Sequence, residues 1–419
     1  MKRGKWLSLA VVAGLVLSLV SCGTEADDES SGSGGGSDSG SEGGGAGDST
    51  GVTEDEILFG MATPLSGNAS SLGIDGQKGA EVFIKWINDQ GGTNGREWRL
   101  TTQDDGFDPQ KKITAVRYLI EEEEVFGIWG DVGSNAVAAL PEFEETGVPY
   151  LFPYALAPEM YEPVKPSVFT VVPSSGIQEQ ANGDWIFENY PGDAGDDPKF
   201  GLLALNSPDG QDAIDGFKES KAGEWVVAEQ MFERTTTSWK PQLEALKAEG
   251  VTDVVLHASD AWTAKMLSEA QEIGFDANFY ASTGAVTLLI YELAGADTVE
   301  GTHAVSILAA PDDTEVPGVQ EFLDAFEKYE PGYQPGTFAL HSWVGGLAIA
   351  EALNSIDGDP TREGLIEALE GLEDFDTGGI TGNLTFSEDN HLGTDEVVIV
   401  EAQDGHWKPV SDWIAPAGD

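Results

Sequence analysis

From residue 57 to residue 281 short apolar runs alternate with longer segments that carry apolar residues on one side only. Residues 57–62 read as a buried strand. A helix pattern follows from about Gly76, with Ala80, Phe83, Ile84 and Ile87 on one face, and stops at Gly91 and Gly92. Residues 99–103 read as the next strand, and Asp108 and Pro109 open a helix through Leu119. The same reading gives strands at 125–129, 148–152, 168–172, 200–205, 225–232, 251–257 and 278–281. Helices fall between most of them, near Ser134, from Gly210, and at 240–249 and 262–273. Beyond residue 317 three helices are predicted (319–329, 337–355, 361–371), then strands at 384–386 and 397–400. Such alternation predicts an α/β fold of doubly wound parallel sheets with right-handed crossovers. A body of about 365 residues is long enough for two lobes with separate cores.

The first 52 residues have a different character. Lys2, Arg3 and Lys5 precede an apolar run at 6–20, and Ser21 precedes Cys22, the only cysteine of 419 residues. The apolar run is short for a membrane span and reads as an export signal. A lone cysteine after a small residue at that point predicts a lipoprotein: residues 1–21 removed, a lipid on the Cys22 thiol, and the rest held on the extracytoplasmic face of the cell envelope. Residues 22–52 are mostly Gly, Ser and acids, with seven acids and no base between Gly23 and Thr50. They have no apolar period and are expected to form a disordered tether.

The formal net charge is −53, and the chain beyond the tether holds 67 acids against 18 bases. Phosphates would be repelled, which excludes nucleic acid as a partner. The acid excess reads as a solvation feature. No G-x-S-x-G elbow, H-E-x-x-H helix or Walker loop is present, and nothing points to an enzyme. The five histidines lack ligand spacing, so neither a metal nor a cofactor is expected.

In doubly wound sheets ligands bind beyond the carboxyl ends of the strands, where helix N-termini present free N–H groups. Here those loops are 63–73, 131–135, 153–157, 206–210, 258–262 and 282–284. They are rich in Gly, Ser, Asn and Asp, which serve equally as helix caps.

The order of features resembles a known family. Pro64-Leu65-Ser66-Gly67 is followed by Gly73, Gly79 and Ala80, then by Gly91-Gly92-Thr93-Asn94-Gly95-Arg96. Asp104-Asp105 precedes Pro109, Ile128-Trp129-Gly130 leads to Ser134, and Gly147-Val148-Pro149 to Pro153. Over about residues 55–405 the chain resembles the extracytoplasmic solute-binding proteins of ABC importers, the branch similar to leucine/isoleucine/valine-binding proteins with the type I periplasmic binding protein fold. The resemblance implies two lobes joined by three crossings, placed near Pro173, Gly301 and Phe386. Lobe 1 would comprise 53–172 and 302–386, and lobe 2 would comprise 173–301 and 387–414. It also implies a monomer that closes on a small polar solute, such as an amino acid or amide, and delivers it to the permease subunits of an ABC transporter. The alternative is a ligand-sensing module working with a separate signalling partner.

By the same resemblance, Ser134, Asn135 and the loop at Ala155 occupy the positions that hold a ligand carboxylate. Leu156 stands where a second hydroxyl is common, and Thr283, next to Gly284, where a carboxylate takes a ligand ammonium. Leu72 and Asp209 stand where aromatic rings cover the ligand, and Asp260 and Trp262 complete the expected site. Two readings stay open: Asp209 or Asp260 replaces the missing carboxylate, or the ligand has no ammonium.

Overall fold

The computed structural model describes residues 47–67, 69–190 and 198–417, the side chain of Ser134 excepted. The signal, Cys22 and most of the expected tether lie outside the described residues. The described residues form one compact unit.

Two sheets organise it. The first has the order β2-β1-β3-β4-β5 and is parallel throughout: β1 (Glu56–Thr63), β2 (Glu97–Asp104), β3 (Gly127–Trp129), β4 (Tyr150–Leu151) and β5 (Val168–Phe169). The second contains β6 (Phe200–Leu205), β7 (Val226–Phe232), β8 (Asp253–His257), β9 (Asn278–Ala281), β10 (His303–Ser306), β11 (Val398–Gln403) and β12 (His406–Pro409). Its order is β12-β11-β10-β9-β8-β6-β7, and only β11 and β12 run antiparallel to their neighbours. The molecule is thus mixed α/β with parallel sheets in two lobes.

Alternation along the strands explains the double winding. In the first sheet Ile57, Phe59, Met61 and Trp129 pack into one apolar cluster with helix Thr337–Ser355, which includes Trp343. Ala62, Ile128 and Tyr150 face the opposite cluster, with Ala115, Val116 and Leu119 of helix Pro109–Glu121. Successive strand side chains point to opposite faces, so both faces must be covered. Helix Thr337–Ser355 has no cap of its own. Asp75 of helix Ser70–Asp89 supplies one, accepting from the N–H groups of Gly336 and Ala339, both at 3.0 Å. A carboxylate satisfies unpaired helix N–H groups wherever it comes from, and this one fixes Phe338 and His341 over the strand ends.

Several boundaries differ from the sequence expectation. Residues 47–52 are docked rather than disordered. The Asp48 carboxylate pairs with Arg362, the Arg362 N–H donates to the Asp48 carbonyl at 2.8 Å, and Val52 bridges Ile57. Composition alone cannot reveal a buried arginine more than 300 residues away. Strand β10 belongs to the second sheet, so the second crossing follows Ser306 and not Gly301. Residues 387–394 stay with the first lobe. Leu392 bridges Thr170 in parallel, and the Gly393 N–H donates to the Thr170 carbonyl at 2.8 Å. The third crossing therefore follows Thr394, not Phe386. Residues 384–386 form an isolated bridge to Phe375 instead of a strand. Strands β10 and β12 were not anticipated.

Candidate functional site

The floor of the first lobe is a buried ion network. Lys112 is fully buried, and its ammonium pairs with Asp105 and Asp131 and donates to the Ala62 carbonyl. Asp131 also accepts from Tyr150 and from the Val132 N–H. Burial pushes the Asp131 carboxyl up, against the pull of Lys112. One side chain thereby ties together the ends of β1, β2 and β3. Above it the loops 131–135 and 153–157 are zipped: the Tyr154 N–H donates to the Asp131 carbonyl at 2.8 Å, and the Gly133 N–H to the Tyr154 carbonyl at 3.0 Å. Gly133 has φ 118°, and a Cβ there would lie 2.2 Å from the Phe107 ring. Glycine is required on both counts.

The predicted first-lobe residues distribute unevenly around these loops. Asn135 is buried, and among the described residues neither end of its amide has a partner. A polar group buried in that way is costly unless something else pairs with it. Ser134 opens the short 3-10 helix Ser134–Ala139, and its side chain lies outside the described residues. Ala155 is buried in the lobe's own core, and its N–H already donates to the Pro153 carbonyl at 3.1 Å. Leu156 and Leu72 are half-buried, Leu72 in the first turn of helix Ser70–Asp89.

In the second lobe, Asp209 lies in the first turn of helix Pro208–Glu219, capped by Ser207. Its Oδ1 accepts from Ser175 Oγ at 2.5 Å, and its Oδ2 lies 3.1 Å from His257 Nε2. The other ring nitrogen of His257 faces buried Glu179 at 3.6 Å. Burial opposes charge on this imidazole, but the hydrogen bond to Asp209 and the nearby Glu179 carboxylate raise it to about 10. Burial likewise works against Asp209, yet the hydrogen bond from His257 holds its carboxyl below the usual range. The three groups therefore form an acid–imidazolium–acid triad beside the strand ends. Asp260 accepts from Thr287 Oγ1 at 3.0 Å. Trp262 packs edge-on against Phe232 of its own lobe, ring centroids 5.3 Å apart. Thr283 is buried and opens the turn Thr283–Ala285, while Gly284 is exposed.

Tyr154 of the first-lobe loop has Thr283 and Asp209 of the second lobe for neighbours, and burial pushes its hydroxyl up to about 12. The ring meets Phe338 and His341 at 4.9 and 5.0 Å, both edge-on. Burial pushes His341 down to about 3, so this imidazole is neutral. The structure thus brings Thr283 and Asp209 to the loop holding Ala155 and Leu156. It pairs Asp260 within its own lobe instead. Tyr154, His257, Ser175 and His341 were not singled out from the sequence. Tyr154 lies within a loop that was and His257 adjoins another, and a polar aromatic at a strand end was the available signal.

A cavity of about 970 Å³ lies elsewhere, beside the third crossing, between Tyr161, Ile177, Glu396 and Trp413. None of the strand-end loops lines it, so it is not the site built above.

Residues 56–406 match the periplasmic binding protein family. The chain belongs to that family. Leu/Ile/Val-binding protein homolog 1 of Brucella abortus is 25% identical over 336 residues, covering 80% of this chain and 86% of the relative. The branched-chain amino acid ABC transporter protein from Thermus thermophilus with bound valine superposes with TM-score 0.75 at 18% identity, over 87% of this chain and 98% of that one. The fatty acid ABC transporter substrate-binding protein from Thermomonospora curvata gives TM-score 0.74 at 21% identity, over 88% and 94%. At these identities the two structures show the fold. As a periplasmic binding protein the chain is an extracytoplasmic solute-binding protein and not an enzyme.

Proposed function

We propose that this periplasmic binding protein is anchored by a lipid on Cys22 and captures a small polar organic solute between its two lobes. The lobes close on the solute, and the closed form hands it to an ABC permease. The observation that carries this reading is the buried amide of Asn135 at the strand ends of the first lobe, which has no partner among the described residues. The solute class follows from what the site residues have left to offer. Asp209 is already engaged by His257 and Ser175, and Asp260 by Thr287. An ammonium would find Asp209 and Asp260 already engaged, whereas the Asn135 amide, without a partner among the described residues, suits a neutral donor–acceptor group. Primary amides and urea-type compounds are therefore favoured over branched-chain amino acids.

A thermal-shift screen of the full chain carrying Cys22→Ser tests this. At one hundred times its dissociation constant a bound solute adds about 2.7 kcal/mol of stability, a shift of several degrees. An amide or urea-type hit, recovered unchanged, is expected. A shift from leucine or valine alone would sink the solute assignment. The anchor has its own check. The parent chain should sediment with membranes and the Cys22→Ser chain should not, and equal membrane recovery would remove the lipid.

A further inference from the structure

We propose that the second lobe carries a separate ligand site at the amino ends of its strands, an aromatic cavity that takes a compact quaternary ammonium cation. A cavity of about 280 Å³ lies there between Trp185, Asn189, Tyr190, Asn278, Tyr280 and His303. Asn278 and His303 are the first residues of β9 and β10, so the cavity sits at the opposite end of the sheet from the loops described above. Its volume is at the small end for ligand pockets, which restricts the occupant to a compact molecule.

Three features give the cavity a negative character. Four of the six residues are aromatic, and ring faces attract cations. The His303 ring packs against Trp185 and Tyr280, with centroids 5.7 and 5.5 Å away, and Tyr190 is fixed separately against Trp225 at 5.6 Å. Burial holds the His303 imidazole below its usual range, so this ring is neutral at neutral pH. Behind the rings lies Asp253, which is fully buried. Its carboxylate accepts from the Tyr190 hydroxyl at 2.9 Å, the Asn278 amide at 2.8 Å and the Thr252 hydroxyl at 2.6 Å. Among the described residues no lysine or arginine lines the cavity or pairs with Asp253. A buried carboxylate ordinarily has a counter-ion, and two of its three donors, Tyr190 and Asn278, form the cavity wall. Finally, helix Ser175–Asn189 ends at the cavity with Tyr190 as its cap, and its last carbonyls are the negative end of the helix dipole. With Asp253 engaged by three donors, the walls offer ring faces and a negative field. A quaternary ammonium carries its charge without N–H groups and suits such walls best. None of this depends on the solute proposed above.

The test titrates choline into the full chain carrying Cys22→Ser at fixed ionic strength, following the choline methyl resonance by NMR. The comparison probe is the neutral carbon analogue, with a tert-butyl group in place of the trimethylammonium. Choline is expected to bind saturably and about tenfold more tightly than the analogue. Asn278→Lys, at an exposed position on the cavity wall, supplies an ammonium of the protein's own and should weaken choline binding at least about tenfold. His303→Lys should do the same. Gln110→Lys, exposed on the first lobe, adds the same charge far from the cavity and should leave the affinity unchanged. An unfolding midpoint close to the parent's certifies that each variant is folded, and Asn278→Lys decides alone where His303→Lys does not fold. No saturable choline binding by the parent, equal affinity for the analogue, an unaffected Asn278→Lys, or the same loss in Gln110→Lys would each overturn the site.

Discussion

Lys112→Met should destabilise the protein by about 3–5 kcal/mol, read as a fall in the denaturant midpoint at unchanged slope. Lys112 is fully buried between Asp105 and Asp131, both also buried. Methionine fills most of the volume but leaves two carboxylates facing each other without a cation. Breaking a buried pair costs far more than the intact pair contributes, because the remaining charge has no solvent. The two acids are held where they are by other bonds, Asp131 by Tyr150 and Val132, and Asp105 by the Phe107 N–H at 2.7 Å. They cannot separate without unzipping the loops that carry Asn135 and Tyr154. A loss below about 1 kcal/mol would show that the network relaxes or takes in water, and that the floor of the site does not depend on it.

The second large effect is on pH dependence. The folded pKa of His257, about 10, lies above its unfolded value of about 6.5, so the folded state binds more protons between these values. The contribution of His257 is fully present below pH of about 6.5 and disappears as pH rises to about 10. Its upper limit is about 5 kcal/mol, with a slope of at most about 1.4 kcal/mol per pH unit. Asp209 has the opposite sign: its carboxyl is held low, so its contribution is lost only in acid. Unfolding free energies measured from pH 6 to pH 10 should therefore fall steadily in the parent. They should stay nearly flat in His257→Gln, which is less stable throughout because Glu179 and Asp209 lose their cation. A flat parent profile would mean that His257 is neutral in the fold.

The layered alternation was legible because it is written in local periodicity. Residues 57–62 show an apolar run that only a covered strand explains, and Asp108 with Pro109 is a helix start at any tertiary position. What could not be read depends on partners distant in sequence. Strand β12 is short, lies at a sheet edge and exposes three of its four residues. Leu392 joins the first sheet through Thr170, more than 200 residues earlier. Lys112 looks like one more base on a helix until three strand ends converge on it. The strand-end rule named the loops that hold Tyr154, Asp209 and Thr283, but position in a loop does not say what each side chain packs against. Ala155 and Leu156 were chosen by position in the loop, whereas the Tyr154 ring packs edge-on against Phe338 and His341, nearly two hundred residues later. The acids at Asp209 and Asp260 were seen as free charges. Whether a carboxylate is already engaged depends on His257, Ser175 and Thr287, and spacing does not reveal them.

The docked segment at residues 47–52 also decides how the molecule carries mechanical load. Asp48 is held by Arg362, whose guanidinium also grips the carbonyls of Val125 and Phe126 just before β3. A pull on the N-terminus therefore enters the first sheet at the amino ends of its strands. It is resisted by eight register pairs of β1 against β2, loaded in shear. The three crossings lie outside that path. Tension at the N-terminus is absorbed within one lobe, and the other remains free to swing.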